Sequence, residues 1–188
     1  MNSDGSGGSP RRLARIAGAF YLLNIVTSLM AFSGKGGHWV VISSGLVATA
    51  SYVAVTALLY FLFRPVSRGL SLIAALFSLA GCADGVLNAR HLLPVHIHPL
   101  VFFGCYCLLI AYLILRSSFL PHFLGLLMAV AGLGWLTFLS ARSAAYFTPY
   151  HYIAGGVGEG LLTLWLLFLG VDAEGWKLQA GTAQGVAR

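Results

Sequence analysis

The chain has 188 residues, of which 59% are hydrophobic and only 9% charged, and its formal net charge is +6. A soluble domain carries roughly 25% charged residues, and in water this composition would leave large apolar patches exposed. The excess of cations could suggest nucleic acid, but the Lys and Arg residues form no basic stripe. They sit singly at the ends of apolar runs, as topology determinants and snorkelling side chains do. Nucleic acid is therefore not an expected partner, whereas membrane lipid is.

Residues 1–12 open with MNSDGSGGSP, a Gly/Ser/Pro-rich stretch expected to be disordered. Apolar runs then follow at 13–33, 39–62, 69–90, 98–116, 120–141 and 150–172. Each is long enough to cross about 30 Å of hydrocarbon at about 1.5 Å per residue. The expected fold is an all-α integral membrane bundle of six helices occupying 13–172, followed by a polar, frayed tail at 173–188. The first run follows Arg11 and Arg12, like the n-region of a signal peptide. It is too long for one, and no A-x-A site follows it, so it is read as an uncleaved span.

Orientation follows from the cations. With the N-terminus inside, Arg11, Arg12, Arg15, Arg64, Arg68, Arg116, Lys177 and Arg188 are cytoplasmic, and only Lys35, Arg90 and Arg142 are outside. That bias predicts both termini in the cytoplasm, at the cell (inner) membrane. The second and fourth runs end alike, in YFLFR and YLILR. An interfacial Tyr with a snorkelling Arg explains the echo, and a repeated hairpin is the other reading. Cys82, Cys105 and Cys107 lie inside apolar runs and imply no disulfide framework. Cys105 and Cys107, two apart on a helix, point in nearly opposite directions and read as packing residues.

Four stretches, LARIAGAFYLLNIV (13–26), ALLYFLFRPVSRGLSLIAALFSL (57–79), LILRSSFLPHFLGLLMAVAGLGWL (113–136) and GEGLLTLWLLFLGV (158–171), together resemble one family. It is the bacterial domain-of-unknown-function family numbered 4386, compact membrane proteins of unassigned activity. The R-P-x-x-R turn, the L-R-S-x-F-L-P turn and the Gly-Glu before the last span's Trp carry the likeness in order and spacing. Two places depart from the family pattern. The first connection, SGKGGH, is short, and the third span has Asp84 where the family often carries Arg and Glu nearer Ser78 and Gly81. The resemblance implies a membrane fold and supplies no mechanism.

The polar residues inside the spans are the candidates for function. A charged side chain at the bilayer centre costs about 2.5–3.5 kcal/mol on insertion scales, so it is expected to face the bundle interior and find partners. Asp84 lies about 6 Å beyond the middle of the third span and Glu159 about 3 Å before the middle of the sixth, at similar depth because the spans run oppositely. Each stands in a G-x-x-acid-G frame, Gly81 to Gly85 and Gly156 to Gly160. Small residues let helix backbones approach closely, so the frames predict contact between the third and sixth spans. Asp84, Asn88 and His91 form one helical stripe; His151, Gly155 and Glu159 form another. Asn24 is a further buried candidate, and Arg90 lies at the stripe's outer end.

Two readings of the acids stay open. In one, Asp84, Glu159, His91 and His151 exchange protons at an outer-leaflet cleft that binds or transforms a small lipophilic molecule, with Asn88, Asn24 and Arg90 contributing to binding. In the other, the protein is a non-catalytic accessory or interaction protein whose acids lock helix packing. A small transporter is a weaker third class, since the glycines of the sixth span could loosen that helix. His96 and His98 are weak metal candidates; no cofactor, oligomeric state or substrate is specified. No phosphate loop, Ser/His/Asp order or HExxH pattern occurs. The cation bias predicts that a cytoplasm-only reporter fused at Arg188 gives signal and one fused near Arg142 does not. A periplasmic signal from the C-terminal fusion would reverse the orientation.

Overall fold

A computed structural model describes residues 9–35, 37–89 and 97–185. All of its regular structure is helical: α1 (Pro10–Ser33), α2 (Gly37–Phe63), α3 (Arg68–Ala89), α4 (Pro99–Arg116), α5 (His122–Leu136), α6 (Ala141–Tyr146), α7 (Tyr150–Leu164) and α8 (Ala173–Gly185). A 3-10 turn, Thr137–Leu139, extends α5, and a π turn, Trp165–Leu169, extends α7. Six of these helices are long and apolar enough to cross a membrane: α1 to α5, with α5 including its 3-10 turn, and α7 with its π turn. The chain is thus a multi-pass membrane protein. Exposed Leu29, Leu46, Leu76, Leu126 and Leu133 stud the outer surface, where hydrocarbon takes the place of water.

The helix ends follow local chemistry. Pro10 and Pro99 stand in the first turns of α1 and α4, where a missing N–H costs nothing. Gly34, at φ 63°, closes α1 in the left-handed conformation, which only glycine adopts cheaply. α2 then begins at Gly37.

The six spans form a closed ring in chain order. Each packs on its neighbours in sequence, and α7 returns to pack on α1 as well as on α5. Small residues set the closest approaches. A Cβ added to Gly104 would lie 3.0 Å from the Gly132 carbonyl oxygen, and one added to Gly132 would lie 2.9 Å from that of Gly104, so α4 and α5 meet backbone to backbone. A Cβ on Gly18 would press on the backbone of Leu166 and Leu167, which locates the crossing of α1 with the π turn of α7. Tyr21, Val55, Leu59, Leu62, Tyr106, Leu124, Met128, Leu162 and Leu166 fill the space inside the ring.

This order corrects the expected contact between the third and sixth spans. α3 packs on α2 and α4, and α7 packs on α5 and α1. The two glycine frames do seat close neighbours, but different ones. Gly81 faces Phe102 and Phe103 of α4, whereas Gly158 faces the Leu127 carbonyl and Ala131 of α5.

The segment after the last span is also more ordered than expected. Asp172 accepts from the backbone N–H groups of Glu174 and Gly175, a side-chain N-cap that starts α8. The Trp176 indole donates to the Leu62 carbonyl at the end of α2, and Gln179 donates to the Arg116 carbonyl at the end of α4. At the same face, Arg11 donates to the Val171 carbonyl. α8 therefore lies across the bundle end where α1 begins and the last span ends, the terminal face; the opposite end is the distal face.

The Gly18 crossing generates a stability prediction. Gly18→Ala should lower the unfolding free energy by about 1–3 kcal/mol, the usual cost of overpacking, because the obstructing atoms are backbone. Gly45→Ala, where an added Cβ meets nothing within 4 Å, should leave stability unchanged or slightly raised. Thermal unfolding in maltoside micelles checks this. Equal melting temperatures for the two variants would contradict the crossing.

Candidate functional site

The site is built on Glu159 of α7. One helical turn earlier stands Gly155, where any added Cβ would collide with the ring of Trp135. The missing side chain therefore lets the α5 indole pack directly against α7. The close approach of Gly158 to the Leu127 carbonyl, 2.7 Å for an added Cβ, brings α5 near enough for this. The Trp135 Nε1–H then donates to Glu159 Oε1 at 2.6 Å. From α1 the Tyr21 hydroxyl donates to Oε2 at 2.9 Å. From α4 the Cys107 thiol points to Oε1 at 3.9 Å, a weak sulfur donor. Three helices thus converge on one carboxylate, and all three donors are neutral.

Around this floor stand aromatic rings. Tyr52 of α2 packs edge-on against Tyr21, Phe103 and Tyr106, with centroids 5.8, 4.9 and 5.9 Å apart. Trp135 packs edge-on against Tyr152 at 6.0 Å. Above Glu159, towards the distal face, lies a cavity of about 420 Å³. α1 lines it with Asn24, Ile25, Ser28, Leu29 and Phe32; α2 with Tyr52; α4 with Leu100 and Phe103; α5 with Trp135; and α7 with Tyr152, Gly155, Gly156 and Glu159.

The position of the opening follows from the helix crossing. α1 and α7 touch at Gly18, are bridged one turn further by Tyr21 and Glu159, and beyond that present their residues to the cavity instead of to each other. Leu29 and Phe32, both largely exposed, mark the side of the cavity that faces lipid. Gly156 adds to the space, since a Cβ built there meets nothing within 4 Å.

The sequence candidates fall into separate surroundings. Glu159 and Asn24 both line the cavity; the Asn24 amide donates to the Ala48 carbonyl at 3.0 Å and so ties α1 to α2. Among the described residues α3 contributes nothing to the lining, so the cleft expected between the third and sixth spans is replaced by one bounded by α1, α2, α4, α5 and α7. Asp84 lies on α3, outside that lining, and acts electrostatically on His98. His98 caps α4, its Nδ1 accepting from the Leu100 N–H at 3.3 Å, and packs on Phe138 at 4.5 Å. Partial burial pulls the His98 imidazole below the ordinary histidine range, and Asp84 opposes that shift.

His151 is buried on the same face of α7 as Glu159, about 12 Å away along the axis. Its Nδ1 lies 3.4 Å from the Thr137 hydroxyl, and its ring contacts Phe138 and Tyr152. Arg90, His91 and His96, and the side chain of Asn88, lie outside the described residues. Among the described residues no group of three or more His, Cys, Asp or Glu side chains could hold a metal ion.

Sequence reasoning missed Tyr21, Tyr52 and Trp135, and took Cys107 for a packing residue only. Aromatics within apolar spans carry no mark distinguishing a hydrogen-bond donor from a core filler. The available signal was Gly155 one turn before Glu159, which leaves room for a flat ring beside the acid.

Residues 86–170, a stretch that includes Cys107, Trp135 and Glu159, match the family described as Domain of unknown function (DUF4386). An uncharacterized protein of Archaeoglobus fulgidus is 31% identical over 127 residues, covering 63% of this chain and 76% of that protein. The chain belongs to the DUF4386 family. No solved structure matches it.

Proposed function

We propose that the protein binds a small lipophilic molecule in the cavity above Glu159, with that carboxylate as the polar anchor. The observation that carries this reading is the pairing of a ligand-sized, apolar and aromatic space with a single carboxylate at its floor. Small-molecule sites of this kind enclose about 300–1,000 Å³ and combine apolar walls with few polar groups. Entry is sideways, between α1 and α7 past Leu29 and Phe32, so the molecule arrives from lipid. The cation bias supports placing both termini on the cytoplasmic side of the cell membrane, which puts the cavity in the outer-leaflet half.

A second reading has its own support. Hydrogen bonds from Tyr21 and Trp135 and the Cys107 thiol join α1, α5 and α4 to α7 through one side chain, and such a knot would serve an accessory protein as a packing lock. The two readings separate at Gly156. Gly156→Phe fills the cavity without removing any donor to Glu159.

In dodecyl maltoside micelles, 2-bromodecan-1-ol, whose bromine stands beside the hydroxyl that anchors on Glu159, should quench a saturable part of the tryptophan fluorescence, because Trp135 lines the cavity next to Glu159 and bromine quenches at contact. Gly156→Phe should weaken that saturable component by about tenfold or more, a loss of about 1.4 kcal/mol, while the melting temperature holds. Identical saturable quenching in both proteins would leave only the packing lock.

A further inference from the structure

We propose that the molecule bound in this cavity is an organic cation, an alkyl ammonium whose charged head sits on Glu159 and whose tail leaves between α1 and α7. The inference rests on the binding reading above and specifies its ligand class.

The first ground is charge. Among the described residues, the groups bonded to Glu159 are a phenol, an indole and a thiol. They supply hydrogen bonds but no counter-charge. A carboxylate at the floor of a cavity in hydrocarbon lacks the water that would otherwise screen it. A ligand cation is the natural complement, and an anionic head would meet repulsion at the same point.

The second ground is the wall. Tyr52, Phe103, Trp135 and Tyr152 all line the cavity. Aromatic faces attract cations through the ring quadrupole, most strongly when the cation is desolvated, and aromatic enclosures are the recurring way in which proteins hold substituted ammonium groups. A neutral apolar ligand would be served equally well by Leu and Ile and would give Glu159 no part in binding. An inorganic ion is poorly served, because these walls offer rings where it needs convergent oxygen or nitrogen ligands.

The third ground is the exit. The helix crossing at Gly18 closes the terminal end of the cavity, and Leu29 and Phe32 line its lipid side. A molecule with its head at Glu159 therefore projects its other end into the bilayer, which favours an amphiphile over a compact amine.

The test compares (2-bromodecyl)trimethylammonium with 2-bromodecan-1-ol, two probes of equal chain length whose bromine lies next to the head and so beside Trp135, by saturable tryptophan quenching in uncharged maltoside micelles. The wild-type protein should bind the ammonium about tenfold or more tightly than the alcohol. Glu159→Gln should abolish the preference. Tyr152→Leu, at a half-exposed position remote from the core, should weaken the ammonium more than the alcohol, and it serves if the Gln variant does not fold. Gly156→Phe should remove saturable binding of both probes.

Equal affinities in the wild type, or a preference that survives in both Glu159→Gln and Tyr152→Leu, would overturn the cation assignment while leaving lipophilic binding intact. Absence of saturable quenching by either probe would overturn both. Competition by dihexanoylphosphatidylcholine would identify a lipid headgroup as a source of the ammonium, and its failure to compete would point to a free amphiphilic amine; the cation assignment holds in either case.

Discussion

The bundle is organised around the cost of one carboxylate. Glu159 stands within a span of otherwise apolar character, where a charged group is expensive and an unsatisfied one more so. The neighbouring helices answer that cost with donors: Tyr21 from α1 and Trp135 from α5, supported by the Cys107 thiol of α4. Each donor needs its helix at a fixed distance, and glycines set the distances. Gly155 and Gly158 admit α5 to α7, Gly104 and Gly132 join α4 to α5, and Gly18 admits α1 to the π turn of α7. Lipid supplies little drive for helices to associate, so close packing and buried hydrogen bonds have to supply it.

The same arrangement creates the cavity. The crossing at Gly18 fixes α1 and α7 at one level, and the Tyr21–Glu159 bond holds them one turn further on. Beyond that level the two helices line a space instead of filling it, and Gly156 adds no side chain to close it. At the opposite end α8 is tied to the ends of α2 and α4. A closed, braced terminal half and an open distal half follow from one sequence pattern: aromatic and small residues at the crossing, and small residues without a filling partner above it.

Much of this was legible in the amino-acid sequence. The spans are visible because lipid demands long apolar runs, and Glu159 and Asn24 are visible because polar groups within such runs need a reason. Which helices touch was not legible. Every face of a membrane helix can be apolar, so periodicity does not distinguish the face towards lipid from the face towards a neighbour. The frames at Gly81 and Gly156 looked like partners because both place small residues beside an acid, yet one packs on Phe102 and Phe103 and the other on Leu127 and Ala131. The donors to Glu159 were hidden for a related reason: Tyr21 and Trp135 resemble core aromatics until a carboxylate is seen in reach. α8 was hidden because Gly175 and Gly181 weaken helix propensity, and its stability comes from the Asp172 cap and the Trp176 and Gln179 contacts.

The central claim is that the Trp135 indole is bonded to Glu159, and the indole N–H can be observed directly. The chain has 4 tryptophans, so a 15N-labelled sample in micelles gives few indole resonances, each assignable by a Trp→Phe substitution. The account predicts that the Trp135 indole proton lies downfield and exchanges slowly with water. It also predicts that Glu159→Leu shifts this resonance upfield and accelerates its exchange, while the Trp39 and Trp176 resonances stay in place. A Trp135 resonance that is indifferent to the Glu159 substitution would contradict it.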